Sequence, residues 1–249
     1  MSRPPCVGIL TGFGINADAE LAQAFELAGA SAKLLPVSSL VEEPERLKNF
    51  QILGFPGGFS FGDHLGSGRV LAQLVKQRLR DELDAFTQGG GLILGVCNGF
   101  QTLVKMGILP NLKGDWTPET TLIGNDVGVF QDRWVGVSYN PLNKSPWLRG
   151  LTDSELPIRH GEGRFQVSDA EVLNTLHRDN LIAVTYRGPN PNGAVDGIAG
   201  ITDPTGRIFG LMPHPEAFVT RLNHPLWRRR ADVGLLGLEV FRNGVKHFQ

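Results

Sequence analysis

The first hundred residues alternate between short, continuous apolar runs and longer segments in which apolar residues recur at helical spacing. Continuous apolar runs are typical of strands buried on both faces, and a helix is the usual connection between parallel strands. The pattern therefore predicts an α/β fold with a doubly wound, mostly parallel sheet. In chain order, the predicted strands are residues 7–10, 32–37, 52–55 and 92–96, and the predicted helices are residues 17–28, 69–86 and 99–106.

The pattern changes between about residues 115 and 167, where short alternating runs such as 127–130 and 134–137 are separated by turn residues. Alternation of this kind indicates half-buried strands, so we expect an antiparallel β excursion inserted into the α/β frame. With no internal repeat or low-complexity linker, 249 residues are expected to form a single domain, residues 1–249. Beyond the excursion, a helix is predicted at 170–176, strands at 182–186, 198–201 and 208–212, and an amphipathic segment at 235–248.

Composition narrows the class of protein. A net charge of −1 and a pI near 6.6 provide no broad basic surface, so nucleic acid is not an expected partner. No stretch approaches the ~18 apolar residues of a membrane span, and the first residues lack the apolar core of a signal peptide. Cys6 and Cys97 are too few for a disulfide framework or a cysteine zinc site. We expect a cytoplasmic protein without a membrane segment or a metal site.

Cys97 has the sequence context of a catalytic nucleophile. Gly95-Val96-Cys97-Asn98-Gly99 matches the Gly-x-nucleophile-x-Gly elbow and lies where a buried strand gives way to a helix. A helix amino terminus favours the thiolate, which is the reactive form of cysteine. Cys97 could instead be a small buried apolar residue, but strand, elbow and helix together favour catalysis. Cys6 has no such context, and we expect it to be a core residue of the first strand.

Two His-x-Glu pairs compete to supply the base that a cysteine nucleophile needs. His214 and Glu216 follow a predicted strand, at the kind of strand end where open α/β sheets place their sites. His160 and Glu162 lie in a predicted glycine-rich turn, which suits substrate contact better than a fixed base. These arguments favour His214 and leave the second pair open.

Two glycine-rich segments are candidates for ligand contact. The segment 56–63 follows a strand, and its glycines would let backbone N–H groups approach a small ligand, as in an oxyanion hole. It lacks the Lys-Ser/Thr ending of a nucleotide-binding P-loop. The segment 12–17 reads Gly-x-Gly-x-x-Ala after the first strand, which matches a dinucleotide-binding fingerprint. This fingerprint makes a dinucleotide-binding oxidoreductase the alternative function. The fingerprint is incomplete, because the acidic residue expected about 20 positions later is replaced by apolar residues 34–37. Arg228-Arg229-Arg230 is interpreted as a solvated charge cluster.

Together these residues resemble the class I glutamine amidotransferases, and within them the glutaminase components of phosphoribosylformylglycinamidine synthases. The cysteine elbow and the His214-Pro215-Glu216 motif resemble those of the whole class, whereas the other motifs resemble those of the purine enzymes. In chain order, the matching motifs are Gly12 to Glu20, Pro56 to Asp63, Gly95 to Gln101, His160 to Phe165 and Met212 to Glu216.

The resemblance implies that Cys97 is the nucleophile, His214 the base and Glu216 the residue that orients it. It implies oxyanion N–H groups at Gly58 and Asn98, and glutamine contacts from Gln101 and from the turn at His160. The implied activity is glutamine hydrolysis that supplies ammonia to a large, PurL-like synthetase, with a small PurS-like bridging subunit as a further partner. No cofactor is expected in this chain, because ATP and Mg²⁺ would be used by the synthetase. A glutaminase serving a different synthetase is a second alternative.

Overall fold

A computed structural model describes residues 3–249, and within this range nine strands form one sheet. The strands are β1 (Cys6–Thr11), β2 (Ser31–Pro36), β3 (Ile52–Phe55), β4 (Leu92–Val96), β6 (Gln131–Tyr139), β7 (Ser154–His160), β9 (Ile182–Arg187), β10 (Ile198–Thr202) and β11 (Ile208–Leu211). A second, two-stranded sheet pairs β5 (Thr120–Ile123) with β8 (Arg164–Val167). The helices are α1 (Asp18–Leu27), α2 (Val37–Glu42), α3 (Arg69–Gln88), α4 (Asn98–Met106), α5 (Ala170–Arg178) and α6 (Leu238–Lys246).

The order of strands in the main sheet is β2-β1-β3-β4-β11-β10-β9-β6-β7. Pairings from β2 to β11 are parallel, and those from β11 to β7 are antiparallel. The parallel strands β3 and β4 are buried throughout, as continuous apolar runs require. The predicted α/β fold with a parallel sheet and an antiparallel excursion is therefore confirmed, and two strands of the excursion extend the main sheet itself.

The strand predicted at 127–130 is wrong. This segment is a turn in which the N–H of Gly128 donates to the carbonyl of Asn125 at 3.0 Å and the Asn125 side chain donates to the carbonyl of Val129. Gly128 has a φ of 70°, a left-handed conformation that glycine adopts at low cost. Val127, Val129 and Phe130 are exposed, so their alternation does not reflect one buried face.

The core position expected for Cys6 is also wrong, although the residue does begin the first strand. Its neighbours Val7 and Ile9 are fully buried, whereas Cys6 is half-buried because it lies at the rim, where the strand starts. Its N–H donates to Oε1 of Gln51 at 2.8 Å.

The strand order determines where a site can form. Because β4 lies between β3 and β11, and all three are parallel, their carboxyl ends meet at one edge of the sheet. The cysteine elbow follows β4, the glycine-rich segment 56–63 follows β3, and His214 follows β11. A buried core cluster with members from Val7 to Val245 supports this edge.

Within residues 3–249, none of the helices combines the length and hydropathy that a membrane crossing requires.

Candidate active site

Cys97 occupies a strained elbow between β4 and α4. Its backbone has φ 51° and ψ −106°, a conformation that non-glycine residues rarely adopt. Both flanking glycines are required by close packing. A Cβ at Gly99 would overlap the carbonyl oxygen of Phe55 on β3, and a Cβ at Gly95 would lie 2.9 Å from the carbonyl carbon of Gly99. The Gly-x-Cys-x-Gly spacing therefore reflects the space available around the turn.

We expect Gly99→Ala to destabilise the protein, because its Cβ would meet backbone that cannot move independently of β3. Overpacking of this kind costs about 1–3 kcal/mol in the free energy of unfolding. Gly124→Ala is the matched control, since a Cβ there would have no heavy atom within 4 Å. Denaturant unfolding of both variants measures the difference. Equal stabilities would contradict this account of the elbow.

His214 and Glu216 form a buried pair beyond β11. Nδ1 of His214 lies 2.6 Å from Oε1 of Glu216, and their side chains are only 5% and 1% exposed. The His214 backbone is held by its N–H, which donates to the carbonyl of Pro157 at 2.8 Å. This pair has the orientation expected of a base and the carboxylate that orients it.

Electrostatics prepare His214 for proton transfer. Burial lowers the pKa of the ring, but the Glu216 carboxylate and the adjacent Cys97 outweigh this effect and raise the pKa to about 10. Nε2 of His214 is buried and has no hydrogen-bond partner within the described residues. The thiol of Cys97 donates to the carbonyl of Arg159 at 3.6 Å. A proton passed from Cys97 to His214 would leave a thiolate beside an imidazolium, which is the reactive state of a cysteine nucleophile.

The backbone around Cys97 provides donors for an oxyanion. Within residues 3–249, the N–H groups of Gly58 and Asn98 donate to no acceptor, whereas the N–H of Cys97 donates to the carbonyl of Leu211 at 2.8 Å. Gly58 has a φ of 146°, and a Cβ at Gly57 would lie 3.0 Å from Cε1 of His214. The glycine pair thus lets the backbone pass directly beside the base. The proposed oxyanion groups at Gly58 and Asn98 stay a prediction, and their geometry is compatible with it.

Asn98 and Gln101 link the elbow to two neighbouring loops. Oδ1 of Asn98 accepts from the N–H of Ser60, and its Nδ2 donates to Oε1 of Gln101 at 3.0 Å. Nε2 of Gln101 in turn donates to the carbonyl of Glu162 at 2.6 Å. The elbow, the segment after β3 and the turn after β7 are therefore joined by hydrogen bonds that are buried or partly buried.

His160 and Glu162, the second His-x-Glu pair, are not hydrogen-bonded to each other. His160 is the last residue of β7 rather than part of a turn, and its Nδ1 lies 3.1 Å from Oδ1 of Asn125. The Glu162 carboxylate points elsewhere, accepting from the N–H of Ser67 and lying 3.9 Å from Nζ of Lys105. Burial first, and then the positive charge of His214, lower the pKa of His160 to about 4. A ring with this low pKa and without a carboxylate partner is too weakly basic to be well suited as the base.

Sequence reasoning missed several polar residues at this site. Tyr186 on β9 is buried, and burial, together with the nearby Cys97, raises the pKa of its hydroxyl. Its hydroxyl accepts from Nδ2 of Asn192, which also donates to the carbonyl of Gly163 at 2.8 Å. Oδ1 of Asn125 accepts from the N–H of Gly163 and so holds the same turn after β7. None belongs to a local motif, so no pattern in the sequence identifies them.

Of the two glycines that suggested a dinucleotide site, Gly14 has a packing role. Gly12 and Gly14 have φ values of 108° and 93°. The carbonyl of Gly14 accepts from the N–H of Phe59 at 3.0 Å, and a Cβ at Gly14 would overlap the carbonyl oxygen of Phe59. The turn is therefore covered by the segment after β3, where a pyrophosphate group would have to approach.

The arginine cluster near the carboxyl terminus is exposed, as its charge predicts. Nη1 of Arg230 forms an ion pair with Glu155 at 3.0 Å, and Arg228 lies over the ring of Trp227. Exposed pairs of this kind contribute little stability.

Comparison with known proteins identifies the family. A family model described as a CobB/CobQ-like glutamine amidotransferase domain matches residues 4–248. The phosphoribosylformylglycinamidine synthase subunit PurQ of Dehalococcoides mccartyi is 42% identical over 245 residues, which cover 94% of this chain and 93% of that protein. The Methanococcus maripaludis protein of the same name is 34% identical over 267 residues, covering 98% and 97% of the two chains.

Among solved structures, a chain in the structure of PurLQS from Thermotoga maritima superposes with a TM-score of 0.77 and 26% identity, covering 99% of this chain and 100% of that one. The family match spans nearly the whole chain and includes all the residues described above. This chain belongs to the CobB/CobQ-like glutamine amidotransferase family.

Proposed function

We propose that this chain is the glutaminase subunit of a phosphoribosylformylglycinamidine synthase. It hydrolyses L-glutamine and supplies the ammonia to a PurL-type synthetase, which makes formylglycinamidine ribonucleotide in ATP-dependent purine biosynthesis. The names of the relatives and the PurLQS structure support this assignment. The observation that carries the chemistry is the convergence of the Cys97 elbow with the buried His214–Glu216 pair.

The first half-reaction transfers the glutamyl group to sulphur. Cys97 passes its proton to Nε2 of His214, and the thiolate attacks the side-chain amide carbon of glutamine. The carbonyl oxygen becomes an oxyanion, which the N–H groups of Gly58 and Asn98 would stabilise. The C–N bond then breaks as His214 returns the proton to nitrogen, which releases ammonia and leaves a thioester on Cys97.

The second half-reaction frees the enzyme. Water gives a proton to His214 while its oxygen attacks the thioester carbon, and the same N–H groups stabilise the second oxyanion. The C–S bond breaks, glutamate leaves and Cys97 recovers its proton. Glu216 keeps the His214 ring in one orientation throughout both steps.

Partners and cofactors follow from the same proposal. ATP and Mg²⁺ are assigned to the synthetase and no cofactor is assigned to this chain. A small PurS-type subunit would bridge the two larger ones; the Thermotoga maritima structure is described as that of PurLQS. The complex would work in the cytoplasm.

The test follows the amide nitrogen. With amide-¹⁵N glutamine, ATP and the PurL-type synthetase, we expect ¹⁵N in the amidine product and one glutamate for each amidine formed. Omission of this chain should remove the label from the product but not the synthesis supported by free ammonia. If the chain releases no glutamate with this synthetase but does so with another, the alternative of a glutaminase serving a different synthetase is correct.

A reactive glutamine analogue should distinguish the two cysteines. Cys97 is only 5% exposed and Cys6 is half-buried, so accessibility alone would favour labelling of Cys6. We expect a diazo-ketone analogue of glutamine to label Cys97 and spare Cys6, because only Cys97 lies beside a base. Peptide mass mapping identifies the labelled cysteine. Label on Cys6, or equal labelling of a His214→Ala variant, would contradict the assignment.

A further inference from the structure

Asn125 holds the end of β7 and the turn that follows it through four hydrogen bonds. Its backbone N–H donates to the carbonyl of Gly161 at 2.9 Å. Its Nδ2 donates to the carbonyls of Val129 and His160, and its Oδ1 accepts from the N–H of Gly163 at 3.0 Å and contacts Nδ1 of His160 at 3.1 Å. Asn125 is itself buried. Such an arrangement orients one side chain, His160, as well as the turn that follows it.

These contacts fix the tautomer of His160. The Asn125 amide cannot be flipped, because its nitrogen faces two carbonyl oxygens and its oxygen faces the N–H of Gly163. Oδ1 can only accept, so Nδ1 of His160 must carry the hydrogen. In a neutral ring this leaves Nε2 as an acceptor with a free lone pair.

Nε2 of His160 is an acceptor without a donor. The residue is 3% exposed, and within the described chain Nε2 has no hydrogen-bond partner. The charged groups that act on the ring are His214 on the segment after β11 and Arg133 on β6, both positive. Together with burial they keep the ring neutral, so Nε2 stays an acceptor at physiological pH. Buried polar atoms normally have a partner, and His160 ends the strand whose carbonyls at Arg159 and Pro157 accept from the Cys97 thiol and the His214 N–H.

We propose that Asn125 is a positioning residue that holds His160 as the Nδ1–H tautomer, so that Nε2 of His160 accepts a hydrogen bond from an N–H group of bound glutamine. This inference rests on the proposed function and adds a specificity element to it. Glutamine offers two such donors, its side-chain amide and its α-ammonium group. Glutamate retains the α-ammonium group but has no side-chain amide, so only the amide contact would distinguish substrate from product.

The variant Asn125→Asp tests the proposal, because it keeps an oxygen beside Nδ1 of His160, although it replaces the two N–H donors to the carbonyls of Val129 and His160 by an acceptor. A carboxylate beside Nδ1–H stabilises the charged ring, so the titration midpoint of His160 should rise by about one to three pH units. Below that midpoint Nε2 carries a hydrogen and no longer accepts. The measured quantity is the KM ratio, which is the KM of the variant for glutamine divided by the KM of the unchanged protein at the same pH. We expect this ratio, the KM penalty of the variant, to increase about tenfold or more as the pH falls through the new midpoint.

Asn192→Ala is the matched control. Asn192 also holds Gly163, through its carbonyl, but does not contact the His160 ring. This variant should leave the titration of His160 unchanged, and its KM ratio should not vary with pH. If Asn192→Ala reproduces the pH-dependent KM of Asn125→Asp, the effect comes from loosening the turn and the proposal is wrong.

Nitrogen NMR of histidine-labelled protein reads the tautomer directly and does not depend on a variant being stable. Six histidines are present, and His160→Gln identifies the resonances of His160. We expect hydrogen on Nδ1 and none on Nε2 between pH 6 and 8, whereas hydrogen on Nε2 in the unchanged protein would overturn the proposal. Should the protein release no glutamate with its synthetase, the proposed function fails, whatever the tautomer.

Glutaramate, which lacks the α-amino group, identifies the donor. If the KM penalty of Asn125→Asp persists with this substrate, the side-chain amide is the donor, and if the penalty disappears, the α-ammonium group is. A penalty that is absent for both glutamine and glutaramate would overturn the proposal.

Discussion

Cys97→Ala is expected to abolish glutamine-dependent amidine synthesis by the complex and to leave ammonia-dependent synthesis close to that of the unchanged protein. The variant removes the sulphur atom to which the mechanism assigns the thioester, so the fall in glutamine-dependent kcat should be on the order of 10⁴-fold or more. The ammonia-dependent rate should persist, because the acceptor chemistry is assigned to the synthetase. Steady-state assays with glutamine and with ammonium chloride as nitrogen donors measure both rates.

Cys6→Ala is the control for this experiment, because Cys6 lies at the rim of the sheet and outside the site. Both rates of this variant should match those of the unchanged complex. A Cys97→Ala complex that loses both activities would show that Cys97 is needed for assembly or for the synthetase reaction, and the division into two sites would be wrong.

The second large effect is expected at His214. His214→Ala removes proton transfer from thioester formation and from thioester hydrolysis, for which general acid–base catalysis typically contributes ~10²–10⁴-fold. The loss should appear in kcat. Glu216→Gln should have an intermediate effect, since it keeps a hydrogen-bond partner at 2.6 Å from the ring but removes the charge that raises the pKa of His214.

His160→Ala provides the contrast. His160 contacts Asn125 rather than a carboxylate, and its pKa is lowered. We therefore expect this variant to raise the KM for glutamine and to keep a measurable kcat at saturating glutamine. If His160→Ala reduces kcat more than His214→Ala does, the triad would have to be rebuilt around His160.

The parts of the site that the sequence predicts are those fixed by local geometry. The elbow at Cys97 depends on a strand, a helix and two glycines within five residues, so a short motif describes it fully. His214 and Glu216 are two residues apart, and the strand before them indicates the edge at which they lie. Buried parallel strands such as β3 and β4 are predicted for the same reason, since their apolar runs are continuous.

The parts that the sequence does not predict depend on contacts between distant segments. Asn125 acquires its role from His160 and Gly163, more than 30 positions away. Asn192, which also donates to the hydroxyl of Tyr186, reaches the same turn from a third segment. β5 and β8 are four residues each, and only their pairing with each other makes them strands. Local alternation was misleading at 127–130, where a turn closed by Asn125 exposes the apolar side chains.

Trapping the thioester tests the central claim most directly. Acid quenching during turnover of ¹³C-labelled glutamine, followed by peptide mass spectrometry, should reveal a labelled glutamyl group on the peptide that contains Cys97. The adduct should increase in Glu216→Gln if hydrolysis slows more than formation, and it should be absent from Cys97→Ala. Release of glutamate without any adduct on Cys97, or an adduct on Cys6, would contradict the account.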